Sequence, residues 1–126
     1  MKKILFLFVS ILSLSLATSC SSDDDKGSAS ILGKWHHHAS IYDGGTELHD
    51  HECATKKDYI EFNANNVYKY VIYNTSCAID DQDTLTWTQE GNIITIESGD
   101  LQITELTGST LRLYDSEYDE TFVFKR

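Results

Sequence analysis

Short stretches in which apolar and polar residues alternate recur along most of the chain. Their apolar positions are rich in β-branched and aromatic side chains, and clusters of Gly, Asn or Asp separate one stretch from the next. A period of two is typical of a strand with one buried face. The stretches are Gly33–Ile41, Asp58–Asn63, Val67–Asn74, Thr84–Gln89, Ile93–Glu97, Leu101–Leu106, Leu111–Asp115 and Thr121–Arg126. The pattern therefore predicts an all-β domain, residues 31–126, with eight antiparallel strands that follow one another up and down.

Closing this meander into a barrel would pair its first and last strands, whose free edges otherwise invite aggregation. The strand Val67–Asn74 has apolar residues on both faces, and we assign its inner face to Tyr68, Tyr70 and Ile72. One connection, Tyr42–Lys57, is long and polar, with several His and Asp residues. We expect it to be a loop between the first two strands.

The N-terminus has a different pattern. Two lysines precede an apolar run, Ile4–Leu16, which is shorter than the roughly 20 residues that a membrane span needs. Small residues follow, directly before Cys20, which is the pattern of a secretory signal peptide over residues 1–19. The cysteine at that place resembles a bacterial lipoprotein signal, although Ala17 stands where such signals more often have Leu. The resemblance implies acyl chains on Cys20 as a membrane anchor. The alternative is an ordinary signal peptide and simple secretion.

Residues 20–30 are polar and lack hydrophobic periodicity, so we expect a flexible tether. A Ser-Asp-Asp-Asp run within it resembles the export signal that sends some lipoproteins to the outer face of the outer membrane. The alternative is a solvated acidic linker. The expected location is therefore the outer membrane, with exposure at the cell surface as a further hypothesis.

Charge and cysteine content narrow the function classes. The 126 residues carry a net charge of −10, which argues against a nucleic-acid partner because phosphates require clustered Lys and Arg.

Cys53 and Cys77 remain if Cys20 carries lipid. An even pair in an oxidising compartment predicts a disulfide between them. The competing interpretation is two free thiols that bind metal or undergo redox chemistry.

Several short motifs occur in a recognisable order. They are Leu32 to Trp35 (Leu-Gly-Lys-Trp), Cys53, Tyr59 to Phe62, Asn65-Asn66, Cys77, Asn92 to Ile96 and Leu106 to Leu111. A Gly-x-Trp that opens the first strand of a predicted barrel resembles the lipocalin superfamily. The order and spacing of the motifs resemble the short lipocalin-like domains that bacterial lipoproteins carry. The resemblance covers nearly all of residues 31–126 and implies an eight-stranded, lipocalin-like β-barrel that is shorter than a classical lipocalin.

In lipocalins the indole of the Gly-x-Trp motif pairs with an arginine at the end of the last strand. Phe122, Phe124 and Arg126 share one face of their strand, so Arg126 is placed to stack on Trp35. The resemblance thus implies that Trp35 and Arg126 plug one end of the barrel. The alternative is a C-terminal arginine in solvent.

A histidine cluster is the most conspicuous candidate for chemistry. Successive residues of a strand face opposite sides, so His36 and His38 point outward together. With His49 or His51 from the following connection they suggest a surface metal site, because imidazoles suit Zn, Cu or Ni. The alternative is a His-rich tract that binds metals loosely and without function. We expect no cofactor.

The chain has no Gly-x-Ser-x-Gly elbow, no His-Glu-x-x-His and no phosphate-binding glycine loop, so we do not expect an enzyme. The favoured function is binding a small apolar or aromatic molecule in the mouth of the barrel, lined by His37, Tyr68, Tyr70 and Trp87. The alternative is a filled barrel that recognises a protein partner through Tyr42–Lys57 and an acidic rim. The volume of the interior discriminates between the two.

Overall fold

The structure, a computed structural model, describes residues 29–97 and 99–126. The predicted signal peptide, Cys20 and most of the predicted tether lie outside the described residues. Within the described part of the chain there are nine β-strands and no helix. The strands are β1 (Gly33–Tyr42), β2 (Gly45–Leu48), β3 (Tyr59–Asn63), β4 (Val67–Tyr73), β5 (Ile79–Glu90), β6 (Ile93–Ile96), β7 (Gly99–Leu106), β8 (Thr110–Asp115) and β9 (Glu120–Lys125). No helix that could span a membrane is found between residues 29 and 126, Ser98 aside.

Eight of the strands form the closed antiparallel barrel that the sequence predicts. From β3 to β9 each strand pairs with the next, β1 pairs with β3, and β9 returns to pair with β1. This closure gives both edges of the meander a partner, which removes the exposed edge groups of an open sheet. The predicted fold class is confirmed.

The extra strand, β2, corrects the prediction of an unbroken loop over Tyr42–Lys57. Asp43 and Gly44 both have positive φ, the conformation of a tight two-residue hairpin, and they return the chain along the edge of β1. All four residues of β2 are exposed. A strand with no buried face has no reason to alternate, so its sequence carried no strand pattern.

The core lies inside the barrel. Its most deeply buried side chains are Trp35, Phe62, Ile94, Leu111 and Leu113. Because β9 pairs with β1, residues from opposite ends of the sequence come together in one cluster. Tyr68 and Tyr70 pack against that cluster, as expected for the inner face of β4.

The outer face of β4 is also partly covered, which explains its ambiguous sequence. Val71 is 1% exposed and lies opposite Tyr59 on β3, whose ring is buried as well. Apolar residues are therefore found on both faces of this strand.

The two ends of the barrel differ. At the closed end β1 begins and β9 ends. At the open end β1, β4, β6 and β8 end, and the turns that follow them surround the mouth.

Candidate functional site

Trp35 and Arg126 lie together at the closed end. The Trp35 side chain is fully buried, and its Nε1–H donates to the Ile31 carbonyl oxygen at 2.8 Å. The Arg126 guanidinium carbon lies 3.8 Å from the centroid of the Trp35 ring system. Stacking of this kind combines dispersion with attraction between the cation and the π-face. The indole and guanidinium thus occupy this end of the barrel.

Backbone groups hold the arginine in place. Arg126 Nη1 donates to the Leu32 carbonyl oxygen, Nη2 to that of Ser30 and Nε to that of Gly108. Gly33 has a φ of +110°, and a Cβ built there would come within 3.2 Å of Arg126 Nη1. The backbone conformation favours glycine at this position of the Gly-x-Trp motif, and a side chain there would also crowd the arginine.

A cavity of about 470 Å³ lies at the open end. Apolar and aromatic side chains form its walls and polar residues of the turns form its rim. It is lined by Tyr68, Tyr70, Leu85, Ile96, Gly99, Asp100, Leu101, Asp115, Ser116, Glu117, Tyr118 and Phe122. Polar and apolar groups contribute comparable shares of the lining, so the cavity combines apolar walls with a polar rim, as small-molecule sites do.

The rim of this cavity is acidic, and its carboxylates also shape the turns. Asp115 Oδ1 accepts a hydrogen bond from the Glu117 amide, and Asp100 Oδ1 accepts one from the Thr95 hydroxyl. Both bonds are local, so they fix the positions of charges that still face solvent. Glu117 is also exposed.

The two tyrosines of β4 remain neutral phenols. Burial raises the pKa of Tyr68 to about 12, with a smaller effect of the neighbouring Tyr70. Partial desolvation raises the pKa of Tyr70, and the negative charge of Asp81, to which its hydroxyl donates, raises it further. Each therefore offers an uncharged hydroxyl at neutral pH.

The predicted lining residues separate into two groups. Tyr68 and Tyr70 line the cavity. Trp87 belongs to the core and is 7% exposed. Its ring and that of Phe62 are arranged edge to face with their centroids 5.0 Å apart, and its Nε1–H donates to the Asn63 carbonyl oxygen. It lies outside the cavity wall, as does His37.

Other wall residues were not predicted as part of a site. Leu85 and Phe122 were identifiable as inward-facing from their alternation, but alternation does not tell at which height of the barrel the interior is empty. Tyr118 lies in the β8–β9 turn and is 69% exposed. No periodic pattern marks such a residue.

A polar network joins the connection after β2 to the barrel. The buried carboxylate of Asp58 accepts a hydrogen bond from His49 Nε2 at 2.8 Å through Oδ2, and from the Tyr73 amide at 2.8 Å through Oδ1. Burial alone would raise the pKa of Asp58, but these two hydrogen bonds, together with the electrostatic effect of His49 and His51, outweigh burial and hold the pKa below its usual value. Asp58 is thus a buried carboxylate anion whose charge is stabilised by hydrogen bonds from the protein.

His51 has a defined protonation pattern in this network. Its Nε2 faces the His37 carbonyl oxygen at 3.0 Å and must carry the proton, whereas its Nδ1 accepts the Asp58 amide proton at 3.0 Å. Both ring nitrogens of His51 are therefore engaged in hydrogen bonds. The His37 ring stacks on His49 and contacts Phe124, with both centroid distances 4.8 Å.

Of the residues predicted as metal ligands, the structure brings His49 and His51 together, and it adds Asp58. Their candidate ligand atoms lie within 4.8 Å of one another. To bind a metal, His51 Nδ1 would have to give up the hydrogen bond from the Asp58 amide. His49 Nε2 would have to lose the proton that it shares with the Asp58 carboxylate. His36 instead packs against the edge of Tyr59, and His38 is exposed. These hydrogen bonds favour a structural role, in which the three residues hold the connection after β2 against the barrel. Metal binding stays a prediction.

The predicted disulfide between Cys53 and Cys77 is confirmed. It joins the connection between β2 and β3 to the turn between β4 and β5. Lys56 extends over the Tyr73 ring and donates to the Cys77 carbonyl oxygen, so the same two segments also meet through a side chain.

Comparison with known proteins agrees with this architecture. A family model described as a lipocalin-like domain matches residues 31–113. A lipocalin-like protein from Bacteroides uniformis is similar in structure, with a TM-score of 0.62 and 16% identity over 76% of this chain and 97% of that one. An uncharacterized protein from Bacteroides eggerthii has the same TM-score and identity over 77% and 99%. At this level of identity the similarity concerns the fold alone. No curated protein matches the chain significantly.

Proposed function

The chain belongs to the family of lipocalin-like domains, and from this premise we propose that it binds a small apolar or aromatic molecule in the cavity at its open end. We propose further that it acts as a binding protein without catalytic activity. Barrels of eight strands are wide enough either to be filled by their own side chains or to hold one small ligand.

The cavity is the observation that supports this proposal. Ligand sites commonly have volumes of about 300–1,000 Å³, and the cavity of about 470 Å³ falls in that range. Its walls include Leu85, Ile96, Leu101 and Phe122, so an apolar ligand would lose its contact with water against apolar surface. A filled barrel, the alternative expected for a protein-interaction module, would offer no such space.

Binding of N-phenyl-1-naphthylamine, a neutral aromatic probe whose fluorescence rises in apolar surroundings, tests the proposal. Leu85→Trp should fill part of the cavity and weaken probe binding by roughly tenfold or more, which corresponds to about 1.4 kcal/mol. Leu48→Trp makes the same change at a residue of β2 that is 68% exposed and outside this cavity. Equal probe binding by both variants, or no binding by the unmodified protein, would contradict the proposed function.

We also propose that acyl chains on Cys20 anchor the protein to the outer membrane, with the barrel exposed at the cell surface. The support is the sequence: small residues before Cys20, and a polar, acidic segment between it and the barrel. Metabolic labelling with an alkyne fatty acid should mark the protein in its own cell, and Cys20→Ser should abolish the label. Protection of residues 31–126 from protease on intact cells would contradict surface exposure.

A further inference from the structure

Resting on the proposed function, we infer that the cavity prefers ligands with an apolar or aromatic body and a positively charged head group. The preference concerns the sign of the ligand's charge, which the fold of the barrel by itself does not specify.

The composition of the cavity wall is the first observation. Of the twelve lining residues, four are aromatic, three are carboxylates and none is basic. The four rings belong to Tyr68, Tyr70, Tyr118 and Phe122. Aromatic rings attract cations through their π-faces, and carboxylates attract them directly. An anionic head group at the same place would have no described positive charge in the wall to pair with.

The second observation is the distribution of charge around the mouth. The strand ends and turns at the open end add Asp43, Glu47, Asp119 and Glu120 to the carboxylates of the rim. Lys56 lies near this end and is directed outside the cavity, over Tyr73 and toward the Cys77 carbonyl oxygen. The adjacent Lys57 also lies outside the cavity, near His36. A cleft lined by charges of one sign between walls of low polarity focuses their field.

Two of the described cations, Lys125 and Arg126, lie at the other end of the barrel. Arg126 covers Trp35 at the closed end, and Lys125 donates to the Thr110 hydroxyl beside it. These cations are separated from the cavity by the packed core, so they do not offset the charge at the mouth at close range.

A group in the cavity wall already responds to the acidic surroundings. The charges of Asp81 and Asp83 both raise the pKa of Tyr70 above its ordinary value, after the effect of desolvation. Surroundings that disfavour a phenolate at this position would likewise disfavour a ligand carboxylate and favour an ammonium group.

Three decyl ligands that differ only in their head groups test the preference. Decyltrimethylammonium, decanol and decanoate would each compete, below micelle-forming concentrations, with the neutral probe N-phenyl-1-naphthylamine bound to the purified protein. At about 10 mM salt we expect the cation to bind roughly tenfold more tightly than the anion, with the alcohol between them. Near 0.5 M salt the difference should shrink to about twofold, because exposed charges are then screened over a few Å.

A matched pair of charge reversals locates the effect. Glu117→Lys changes a carboxylate at the rim, and Glu90→Lys makes the same change at the far end of β5, outside the cavity. At low salt Glu117→Lys should reduce the preference for the cation to about threefold or less, since the change acts within the Debye length of the head group. Glu90→Lys should leave it nearly unchanged.

The outcomes separate this inference from the proposed function. If the probe binds but the three ligands compete equally, or fail to compete, the charge preference is wrong and the proposed function stands. An equal effect of Glu117→Lys and Glu90→Lys would mean that net charge and not the mouth sets the preference, which also overturns the inference. If the probe itself does not bind, the proposed function fails, and the inference fails with it.

Discussion

His37 is a histidine that the fold holds in its neutral form. Burial is the largest cause that lowers its pKa from 6.5 to about 4; the neighbouring His49 also lowers the pKa, by more than Asp58 raises it. Between these two values the unfolded chain binds a proton that the folded chain excludes. The stabilising contribution is therefore complete above pH 6.5 and is lost as the pH falls toward 4.

We expect the free energy of unfolding to fall by about 2 kcal/mol between pH 7 and pH 5 on account of His37. Urea unfolding at the two pH values measures this change. His37→Gln should remove most of the pH dependence. His38→Gln, at an exposed neighbour on the same strand, should retain it. The same pH dependence in both variants would show that His37 is not the group responsible.

For single residues, the sequence predicts which face of a strand a side chain lies on better than it predicts which other side chains it contacts. The position of His37 on β1 follows from alternation, because strand residues two apart share a face. Its stacking on His49 does not follow, since His49 belongs to a connection whose path has no periodic signal. Asp58 was assigned to the start of a strand, and no residue pattern indicated that its carboxylate would receive a histidine and a backbone amide.

At the scale of elements, packing explains which strands the sequence reveals. β8 and β9 place alternate side chains in the core, so their alternation was visible and their bounds differ from the predicted ones by one residue. β5 begins at Ile79, five residues before the predicted start, and this added part is exposed throughout. Backbone pairing with β4 suffices to form a strand there, and it leaves no hydrophobic pattern in the sequence.

The disulfide should stabilise the barrel because it closes a loop in the unfolded chain and so lowers the conformational entropy of the unfolded state. Cross-linking a loop of about 25 residues contributes roughly 3.5 kcal/mol in the chain-entropy model. We therefore expect the Cys53→Ser, Cys77→Ser double variant to lose about 3 kcal/mol of unfolding free energy in urea. Cys20→Ser, a cysteine change outside the barrel, is the matched control and should unfold like the parent protein. A loss under about 1 kcal/mol in the double variant would contradict the prediction.

Substitutions at the closed end should differ in their cost to stability, because Trp35 is a buried ring and Arg126 is a cation that donates to three carbonyl oxygens. Trp35→Ala should cost about 3–5 kcal/mol as a large-to-small core change. Arg126→Ala should cost about 1–3 kcal/mol, in the range for hydrogen bonds of a charged group. Arg112→Ala, which removes an exposed ion pair with Glu105, should cost under about 1 kcal/mol. Thermal and urea unfolding would measure all three, and equal costs for the two arginines would contradict the plug.

On the scale of the whole molecule, the barrel's chain entry and its mouth lie at opposite ends. Ser30 lies at the closed end, where its carbonyl oxygen accepts a hydrogen bond from Arg126. The cavity opens among the turns at the other end. If Cys20 carries the proposed lipid, the chain approaches the barrel from the closed end and the mouth is free to face away from the membrane.

A pair of labelled positions tests this orientation in vesicles that hold the lipidated protein. Gly108→Cys marks the closed end, where a Cβ meets no atom within 4 Å, and Tyr118→Cys marks the exposed rim of the mouth. A fluorophore on position 108 should be quenched by spin-labelled lipid head groups more strongly than one on position 118, because the strands between the two ends span roughly 20 Å. Cys20→Ser should abolish quenching at both positions, since one polar segment without acyl chains gives no stable anchoring. Equal quenching at the two positions in the lipidated protein would mean that the barrel tumbles freely on its tether, and stronger quenching at position 118 would place the mouth against the membrane.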